Sequence, residues 1–323
     1  MAVAVVNLPA ERRDYVAARL LLDAMPRPPF HLPTLAAGGP VTRTIRLGQT
    51  TTATTASLWL PARGRRLPGV VVVPGAAPLG RHDPQLVRLA RALAEAGRAV
   101  LVPDLALRTN ALDAADLQRI TAAVQAFTAL PRVDPRQVGL LGISWGGALA
   151  VVAAASPPLA ATVAFVATFG AFYDLADLAG AAVTGATVYH GRTIPWHTVP
   201  EGAALVRSAV LSLLPPAQAA AVRAALASTR SNGSVPAAPT PAERAVVALL
   251  TNRDPARVGR LAAGLPPPVQ RVRRTFSPAF RLQGLRAPLL ALHSTDDPAA
   301  PWTESALLVA AARAHDPSGA RLT

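Results

Sequence analysis

The sequence predicts an α/β fold in which a mostly parallel central sheet is flanked by helices on both faces. Through the first half of the chain, apolar runs of strand length alternate with runs of helix length, which is typical of such a sheet. A glycine-rich turn around Ser144 joins one strand directly to a helix. Hydrophobic residues make up 51% of the 323 residues, enough to bury both faces of the sheet.

The first four predicted strands differ in pattern. Val41–Leu47 and Thr54–Leu60 alternate in polarity, which indicates two antiparallel strands at a sheet edge. Gly69–Pro74 and Ala99–Pro103 are continuous apolar runs, which favour central strands buried on both faces. The loop at 75–80, which follows the third strand, is rich in glycine and alanine.

Helices are predicted between and after these strands. Asp83–Ala96 is amphipathic and is followed by Gly97, a common residue at a helix C-terminus. Asp113–Leu130 is a second helix, and Val138–Leu141 is the strand that enters the turn at Ser144. The small-residue run Ala148–Ala155 predicts the helix that leaves this turn.

The stretch from Ala148 to Phe172 carries no charge and resembles a membrane span in hydropathy. The sequence Ser156-Pro-Pro158 interrupts it, and Ala161–Phe169 is rich in β-branched and aromatic residues. We therefore interpret the stretch as a buried helix followed by a buried strand, not as a membrane span.

From Ala176 to Arg281 the alternation stops, and no strand is evident. The helical segments there are separated by proline-bearing links, and they comprise Glu201–Leu214, Ala217–Ala227 and Ala242–Leu250. This pattern predicts a helical cap inserted into the sheet domain. The predicted organisation is a core at 1–175, a cap at 176–284 and the rest of the core at 285–323.

The sheet pattern resumes after the cap. Ala287–His293 predicts a strand, and a helix is predicted from Trp302 to about Ala314. Ala320–Thr323 would begin one more strand.

The central motif is G-x-S-x-G, formed by Gly142, Ser144 and Gly146. A strand that turns sharply into a helix holds a serine hydroxyl at the tip of the turn, and small residues two positions either side let the backbone turn without clashes. Ser144 is therefore the candidate nucleophile. The alternative is a glycine-rich turn without chemistry.

The segment from Val133 to Gly147 resembles the nucleophile region of α/β-hydrolases of the dienelactone hydrolase and prolyl-oligopeptidase-like branches. The resemblance covers residues 41–175 and 285–323. It implies the α/β-hydrolase fold and an acyl-enzyme formed on Ser144. It implies no metal and no organic cofactor, because water is the second substrate.

The same resemblance assigns the oxyanion hole. One backbone N–H comes from the residue after the nucleophile, here Trp145. The second comes from the loop after the third strand, and Ala76 is the candidate. Relatives often carry His-Gly at the strand end, where this chain has Pro74-Gly75. The alternative for this loop is an ordinary strand-to-helix turn.

The sequence from His293 to Pro301 resembles the family segment that carries the catalytic acid, and the carboxylate then falls on Asp297. Asp296 replaces it if the loop is shifted by one residue. Asp174, after the sixth strand, is the fallback position used in some relatives. Either of the first two also fits a structural role as a helix cap.

The family places its base, a histidine, in the loop after the last strand, and no histidine of this chain occupies that position. His315 follows Asp297, but about thirteen residues of helix at ~1.5 Å each carry it to the opposite sheet edge. His82, His190, His197 and His293 are better interpreted as structural. We expect the natural chain to continue past Thr323 and to supply the base there.

Composition limits the other classes of function. The formal net charge is +14, yet all 32 basic residues are arginines scattered along the chain, and the densest patch is only Arg271–Arg274. We therefore do not expect nucleic-acid binding, which typically requires a continuous basic surface or a recognisable module. Cysteine is absent, which excludes thiolate metal sites and a thiol nucleophile. No secretory pattern is evident at the N-terminus, so we expect a cytoplasmic location.

The predicted function is hydrolysis of an ester or related acyl bond in a small-molecule substrate, and the apolar cap segments indicate a hydrophobic acyl or alcohol group. Peptidase or thioesterase activity is the alternative within the same fold. A non-catalytic protein of this fold that binds a ligand or partner is the alternative from a different class. A basic protein that binds nucleic acid or a membrane surface is a further one.

Overall fold

The computed structural model describes residues 39–48, 53–109, 111–198, 200–232, 240–316 and 320–322. Residues 1–38, which belong to the predicted core, lie outside the described residues, as does Thr323.

The described residues form ten strands. Their bounds are β1 Val41–Leu47, β2 Thr54–Leu60, β3 Leu67–Val73, β4 Ala99–Pro103, β5 Val133–Ile143, β6 Val166–Phe169, β7 Ala186–Tyr189, β8 Arg192–Pro195, β9 Leu289–Leu292 and β10 Ala320–Leu322.

Ten α-helices are described as well. Their bounds are α1 Pro84–Glu95, α2 Ala115–Thr128, α3 Trp145–Ala154, α4 Leu175–Thr184, α5 Pro200–Ser212, α6 Pro216–Asn232, α7 Pro241–Leu250, α8 Val258–Ala263, α9 Pro267–Phe276 and α10 Trp302–His315.

Eight strands form one sheet in the order β1-β2-β4-β3-β5-β6-β9-β10. The pairs β1–β2 and β2–β4 are antiparallel, and all other neighbours are parallel. The predicted fold class, a mostly parallel sheet flanked by helices, is confirmed. Because parallel strands end at the same sheet edge, the turns after β3, β5, β6 and β9 all meet there.

Helices cover both faces of this sheet. Helix α1 buries Leu86, Ala90 and Leu93 against alternate valines of β3 and β4. Helices α2 and α3 pack on the opposite face, where every residue of α3 is buried. This explains why α3 has no polar face and why its sequence resembles a membrane span.

Several predicted element bounds differ from the structure. The strand predicted at Ala161–Phe169 is shorter, because only its last four residues pair with β5 and β9. The strand predicted at Val138–Leu141 extends to the whole of β5.

The prediction that the cap has no strand is wrong, because β7 and β8 pair as an antiparallel hairpin. Its tight turn is made by His190 and Gly191, both with positive φ (48° and 73°). Two adjacent residues with φ above zero are the conformation that a two-residue hairpin requires. The predicted core and cap boundaries themselves stay a prediction.

Among the described residues, no helix is both long enough and apolar enough to cross a membrane.

Candidate active site

Ser144 lies at the tip of the turn between β5 and α3, with φ 52° and ψ −125°. A non-glycine residue in this region of backbone space is strained, and such strain persists only where the surroundings impose it. The Ser144 N–H donates to the Phe169 carbonyl oxygen at 2.7 Å, which ties the turn to the end of β6. The structure therefore holds Ser144 at the carboxyl edge of the sheet in the conformation of a nucleophile elbow.

Two glycines make this turn possible. A Cβ on Gly146 would overlap the carbonyl oxygens of Val73 and Pro74, because α3 begins directly against the end of β3. A Cβ on Gly142 would lie 2.5 Å from the Gly146 carbonyl oxygen. Both approaches are too close for any side chain, so the motif spacing follows from backbone packing.

The loop after β3 lies against the serine. A Cβ on Gly75 would be only 3.1 Å from the Ser144 Cβ. The Ala77 N–H donates a hydrogen bond to the Gly75 carbonyl oxygen at 2.8 Å. Within the described part of the chain, the N–H groups of Ala76 and Trp145 have no hydrogen-bond acceptor. Two unused donors therefore flank Ser144, as an oxyanion hole requires.

An ion pair that the sequence analysis missed anchors this loop. Arg81 donates through Nε to Asp104 at 2.8 Å, and its backbone N–H donates to the same carboxylate at 3.1 Å. Arg81 also reaches the Ser57 hydroxyl on β2 at 3.0 Å. The position of Asp104 directly after β4 could have indicated this ion pair, because residues that follow parallel strands lie at the same sheet edge as Ser144.

Asp297 follows β9 and approaches the elbow from the far side of β6. A Cβ on Gly170, the residue after β6, would be 2.9 Å from the Asp297 Oδ2. Its other oxygen, Oδ1, accepts the N–H groups of Ala299 and Ala300 at 2.8 and 3.3 Å. The carboxylate is thus fixed by its own loop and directed at the turn beside Ser144.

His293 supports this loop. Its ring is buried, and burial lowers the pKa of His293. Nε2–H donates to the Ala300 carbonyl oxygen at 3.0 Å and lies 3.5 Å from the Asp297 Oδ2. Nδ1 lies 2.7 Å from the Ser305 Oγ, within hydrogen-bond distance. Both ring nitrogens are occupied, which agrees with the predicted structural role of His293.

The two alternative acids are placed differently. Asp296 is exposed and turned to solvent. Asp174 is buried, and both of its oxygens bind the Arg273 guanidinium, at 2.8 and 2.7 Å. One of them also accepts the Ala176 N–H at the start of α4. The carboxylate of Asp174 therefore has a structural role at the cap.

The Ser144 hydroxyl has no hydrogen-bond partner among the described residues. His315 is exposed at the end of α10, five positions before the start of β10, whose first residue pairs with the first residue of β9. It therefore lies at the sheet edge opposite Ser144. His82, His190 and His197 are exposed, and His31 lies outside the described residues.

The cap contacts the loop that carries Asp297 through residues that the sequence did not indicate. The Trp196 Nε1–H donates to the Asp297 carbonyl oxygen at 2.8 Å. The Thr198 hydroxyl donates to the Pro298 carbonyl oxygen at 2.8 Å. On the hairpin, Tyr189 packs edge-to-face on Trp302, with ring centroids 5.4 Å apart. The segment after β8 therefore holds the backbone that carries Asp297.

Comparison with known proteins agrees with this architecture. Residues 55–199, which include the elbow and the loop after β3, match the model of the dienelactone hydrolase family. No curated protein sequence matches the chain.

Solved structures show the same fold at low sequence identity. A Pyrobaculum calidifontis esterase is 16% identical with a TM-score of 0.54, over 99% of this chain and 84% of its own. An acylaminoacyl peptidase from Pyrococcus horikoshii is 14% identical with a TM-score of 0.54, over 88% of this chain and 37% of its own. A puromycin-hydrolyzing peptidase from Mycobacterium tuberculosis is 18% identical with a TM-score of 0.55, over 92% of this chain and 37% of its own. The chain thus spans little more than a third of either peptidase.

Proposed function

Since the chain has the α/β-hydrolase fold and matches the dienelactone hydrolase family over residues 55–199, we propose that it is a serine hydrolase of ester or related acyl bonds. The observation that carries the proposal is the backbone of Ser144, which is held at φ 52° by two glycines and by the β3 loop. A protein that uses the fold only as a scaffold has no need of this strain.

In the proposed reaction the Ser144 Oγ forms a bond to the acyl carbon, and the N–H groups of Ala76 and Trp145 stabilise the oxyanion. The bond to the leaving group then breaks, and the serine proton passes through a base to the leaving group. Water cleaves the acyl-enzyme, releases the acid and restores the hydroxyl. Asp297 would orient the base, which comes from outside the described residues.

Exposed apolar side chains near the elbow support a hydrophobic substrate. Phe169 is 48% exposed although it ends a central strand, and its carbonyl oxygen binds the Ser144 N–H. Leu79, in the loop after β3, is 60% exposed. Large apolar groups at such positions lose contact with water when an acyl or alcohol chain covers them.

Two alternatives remain beside this proposal. A peptidase or thioesterase would use the same elbow, since Ser144 does not distinguish the leaving group. A non-catalytic binding protein is favoured by a different observation, the unpartnered hydroxyl of Ser144.

A fluorophosphonate probe tests the proposal. We expect the 323-residue chain to be labelled slowly at Ser144 and to show little esterase turnover, because the hydroxyl has no base among the residues that the structure describes. Added imidazole should accelerate labelling several-fold by general base catalysis, which contributes about 100-fold or more when the base is positioned. Ser144→Ala is the matched control and should not be labelled.

The outcomes separate the alternatives. Labelling of Ser144→Ala at the wild-type rate would show that the probe reacts elsewhere and would contradict the assignment of Ser144. No labelling of wild type with imidazole favours the binding protein. If Ser144 is labelled, p-nitrophenyl esters, a thioester and an acylaminoacyl anilide compared under imidazole rescue identify the leaving group.

A further inference from the structure

The chain enters and leaves the cap at one place, which we call the cap hinge: Tyr173–Leu175 on entry and Arg273–Ser277 on exit. The Leu175 N–H donates to the Ser277 Oγ at 3.0 Å. Arg273 binds Asp174 through two parallel hydrogen bonds at 2.8 and 2.7 Å. The two connections to the cap are therefore hydrogen-bonded to each other, and their separation requires these bonds to break.

A buried carboxyl group from the core lies against the hinge. Glu304, in the first turn of α10, has no exposed surface. Its Oε2 accepts the N–H groups of Tyr173 and Asp174 at 2.8 and 3.1 Å. Its Oε1 has no hydrogen-bond partner among the described residues. Among the described residues, no hydrogen-bond donor compensates a negative charge on Oε1, although Oε2 of the same carboxyl group binds the entry segment at Tyr173 and Asp174.

The hinge contains more acids than bases. Asp174, directly before α4, and Asp177 in α4 interact with Arg273 of α9, which is bound to Asp174, and Glu304 of α10 interacts with both of these aspartates. Burial, with the charge of Asp177, raises the pKa of Glu304 to about 8. Burial, with the charge of Asp174, raises the pKa of Asp177 to about 6. Burial, with the charges of Asp174, Asp177 and Glu304, raises the pKa of the Tyr173 phenol.

The hinge is also connected to the candidate active site. The Ser305 hydroxyl, next to Glu304, contacts His293 and the Ala171 carbonyl oxygen. A Cβ on Gly147 would lie 2.8 Å from the Ala171 Cβ. The segment that Glu304 holds therefore packs on the helix that follows Ser144, so movement of the hinge reaches the elbow.

We propose that the cap hinge is a pH-sensitive latch, closed while Glu304 is protonated and released when Glu304 ionises. The ionised carboxylate would place a second negative charge beside Asp177, at a side chain that has no exposed surface of its own. Opening the hinge hydrates both carboxylates. Alkaline pH therefore favours an open cap.

The direction follows from proton linkage. An acid whose pKa is higher in the closed state binds more protons there, so closure weakens as pH rises from the open-state pKa towards the closed-state value. For Glu304 this window runs from the ordinary value of 4.5 to about 8. From pH 6 to pH 9 the opening equilibrium should shift by about 10- to 100-fold if opening exposes the carboxyl group.

Hydrogen–deuterium exchange measured by mass spectrometry on the whole chain tests the latch. Protection factors corrected for the intrinsic pH dependence should fall by about 10- to 100-fold between pH 6 and pH 9 in α4 and α9, and not in α1. Glu304→Gln keeps an oxygen acceptor for both N–H groups and cannot ionise, so it should remove this fall. Asp296→Asn, an exposed carboxyl beside the site, is the matched control and should behave as wild type.

Asp177→Asn gives a second test that does not depend on Glu304→Gln folding. Loss of the neighbouring charge makes Glu304 easier to ionise, so the fall in protection should move to lower pH and become smaller. A fall of equal size in wild type and Glu304→Gln would overturn the proposal, as would a wild-type cap whose protection does not change with pH. An unmoved midpoint in Asp177→Asn would contradict it as well.

Discussion

At the scale of single residues, the site depends on how closely backbones approach one another. Gly146 sits where α3 begins against the end of β3, and any Cβ there meets the carbonyl oxygens of Val73, which pairs with β5, and of Pro74. A side chain at this position therefore forces the backbone of the turn to move, whereas a crowded side-chain core can relax through changes of rotamer.

Gly146→Ala should reduce the free energy of unfolding by about 3 kcal/mol, because overpacking against backbone leaves no rotamer that relieves it. Urea unfolding followed by circular dichroism measures the change. Gly259→Ala is the control: Gly259 is exposed in α8, and an added Cβ meets nothing within 4 Å. That variant should be stabilised by about 0.5–1 kcal/mol through helix propensity. Equal effects of the two substitutions would contradict the role of Gly146.

Residues whose role is set by neighbours in the sequence were predictable, and residues whose partners are distant were not. The strained turn of Ser144 follows from glycines two positions away. The ion pair Asp174–Arg273 spans 99 positions, and Glu304 contacts Tyr173 across 131. Neither partner stands in a pattern that indicates the other, so only the folded chain shows that these charges meet.

At the scale of elements, α4, α9 and α10 meet at the cap hinge, where Asp174 and Arg273 form an ion pair. The Asp174 side chain is 5% exposed and that of Arg273 is 17% exposed, so neither charge is well hydrated. Removal of one partner leaves the other buried and unpaired, which costs more than the pair itself contributes.

Arg273→Met should therefore lower the free energy of unfolding by about 3 kcal/mol. Addition of Asp174→Asn to this variant should recover part of the loss, because the unpaired charge is removed. Arg271→Met, an exposed position on the same helix, should change stability by less than about 0.5 kcal/mol. Chemical denaturation of the four proteins at one pH checks this, and a double variant less stable than Arg273→Met would contradict the explanation.

The elements themselves were predicted unevenly, for physical reasons. β1 and β2 have the predicted bounds, although their burial does not alternate: β1 is exposed along most of its length and β2 is mostly buried. The hairpin of β7 and β8 was missed because its strands have four residues each and its turn uses His190-Gly191, with histidine where asparagine or aspartate is the usual signal. In Ala161–Phe169 the apolar residues begin before the strand, in a turn and a half-buried segment, so composition did not mark where pairing begins.

At the scale of the whole molecule, buried acids determine how stability responds to pH. A protonated Glu304 is favoured by folding, because its pKa of about 8 lies above the ordinary 4.5. The folded chain binds more protons than the unfolded chain in this interval, so this contribution to stability is complete below pH 4.5 and is lost as pH rises through 8.

The free energy of unfolding of wild type should fall between pH 5 and pH 9 by more than that of Glu304→Gln, and the two curves should diverge as pH increases. Urea unfolding at several pH values measures both. Asp134→Asn, an exposed carboxyl, should follow the wild-type curve. Parallel curves for wild type and Glu304→Gln would contradict the buried protonated state.

The closed hinge also has a consequence for the order in which the chain folds. The parallel pairing of β6 with β9 joins residues about 120 positions apart, and closing so long a loop costs roughly 4 kcal/mol of chain entropy. Once Leu175 and Ser277 have met, fewer than about 20 flexible residues remain between the two strands, and the cost falls to roughly 2.5 kcal/mol. Assembly of the cap ends before β9 docks therefore gives the sheet a faster route to completion, although the cap contributes no strand to it.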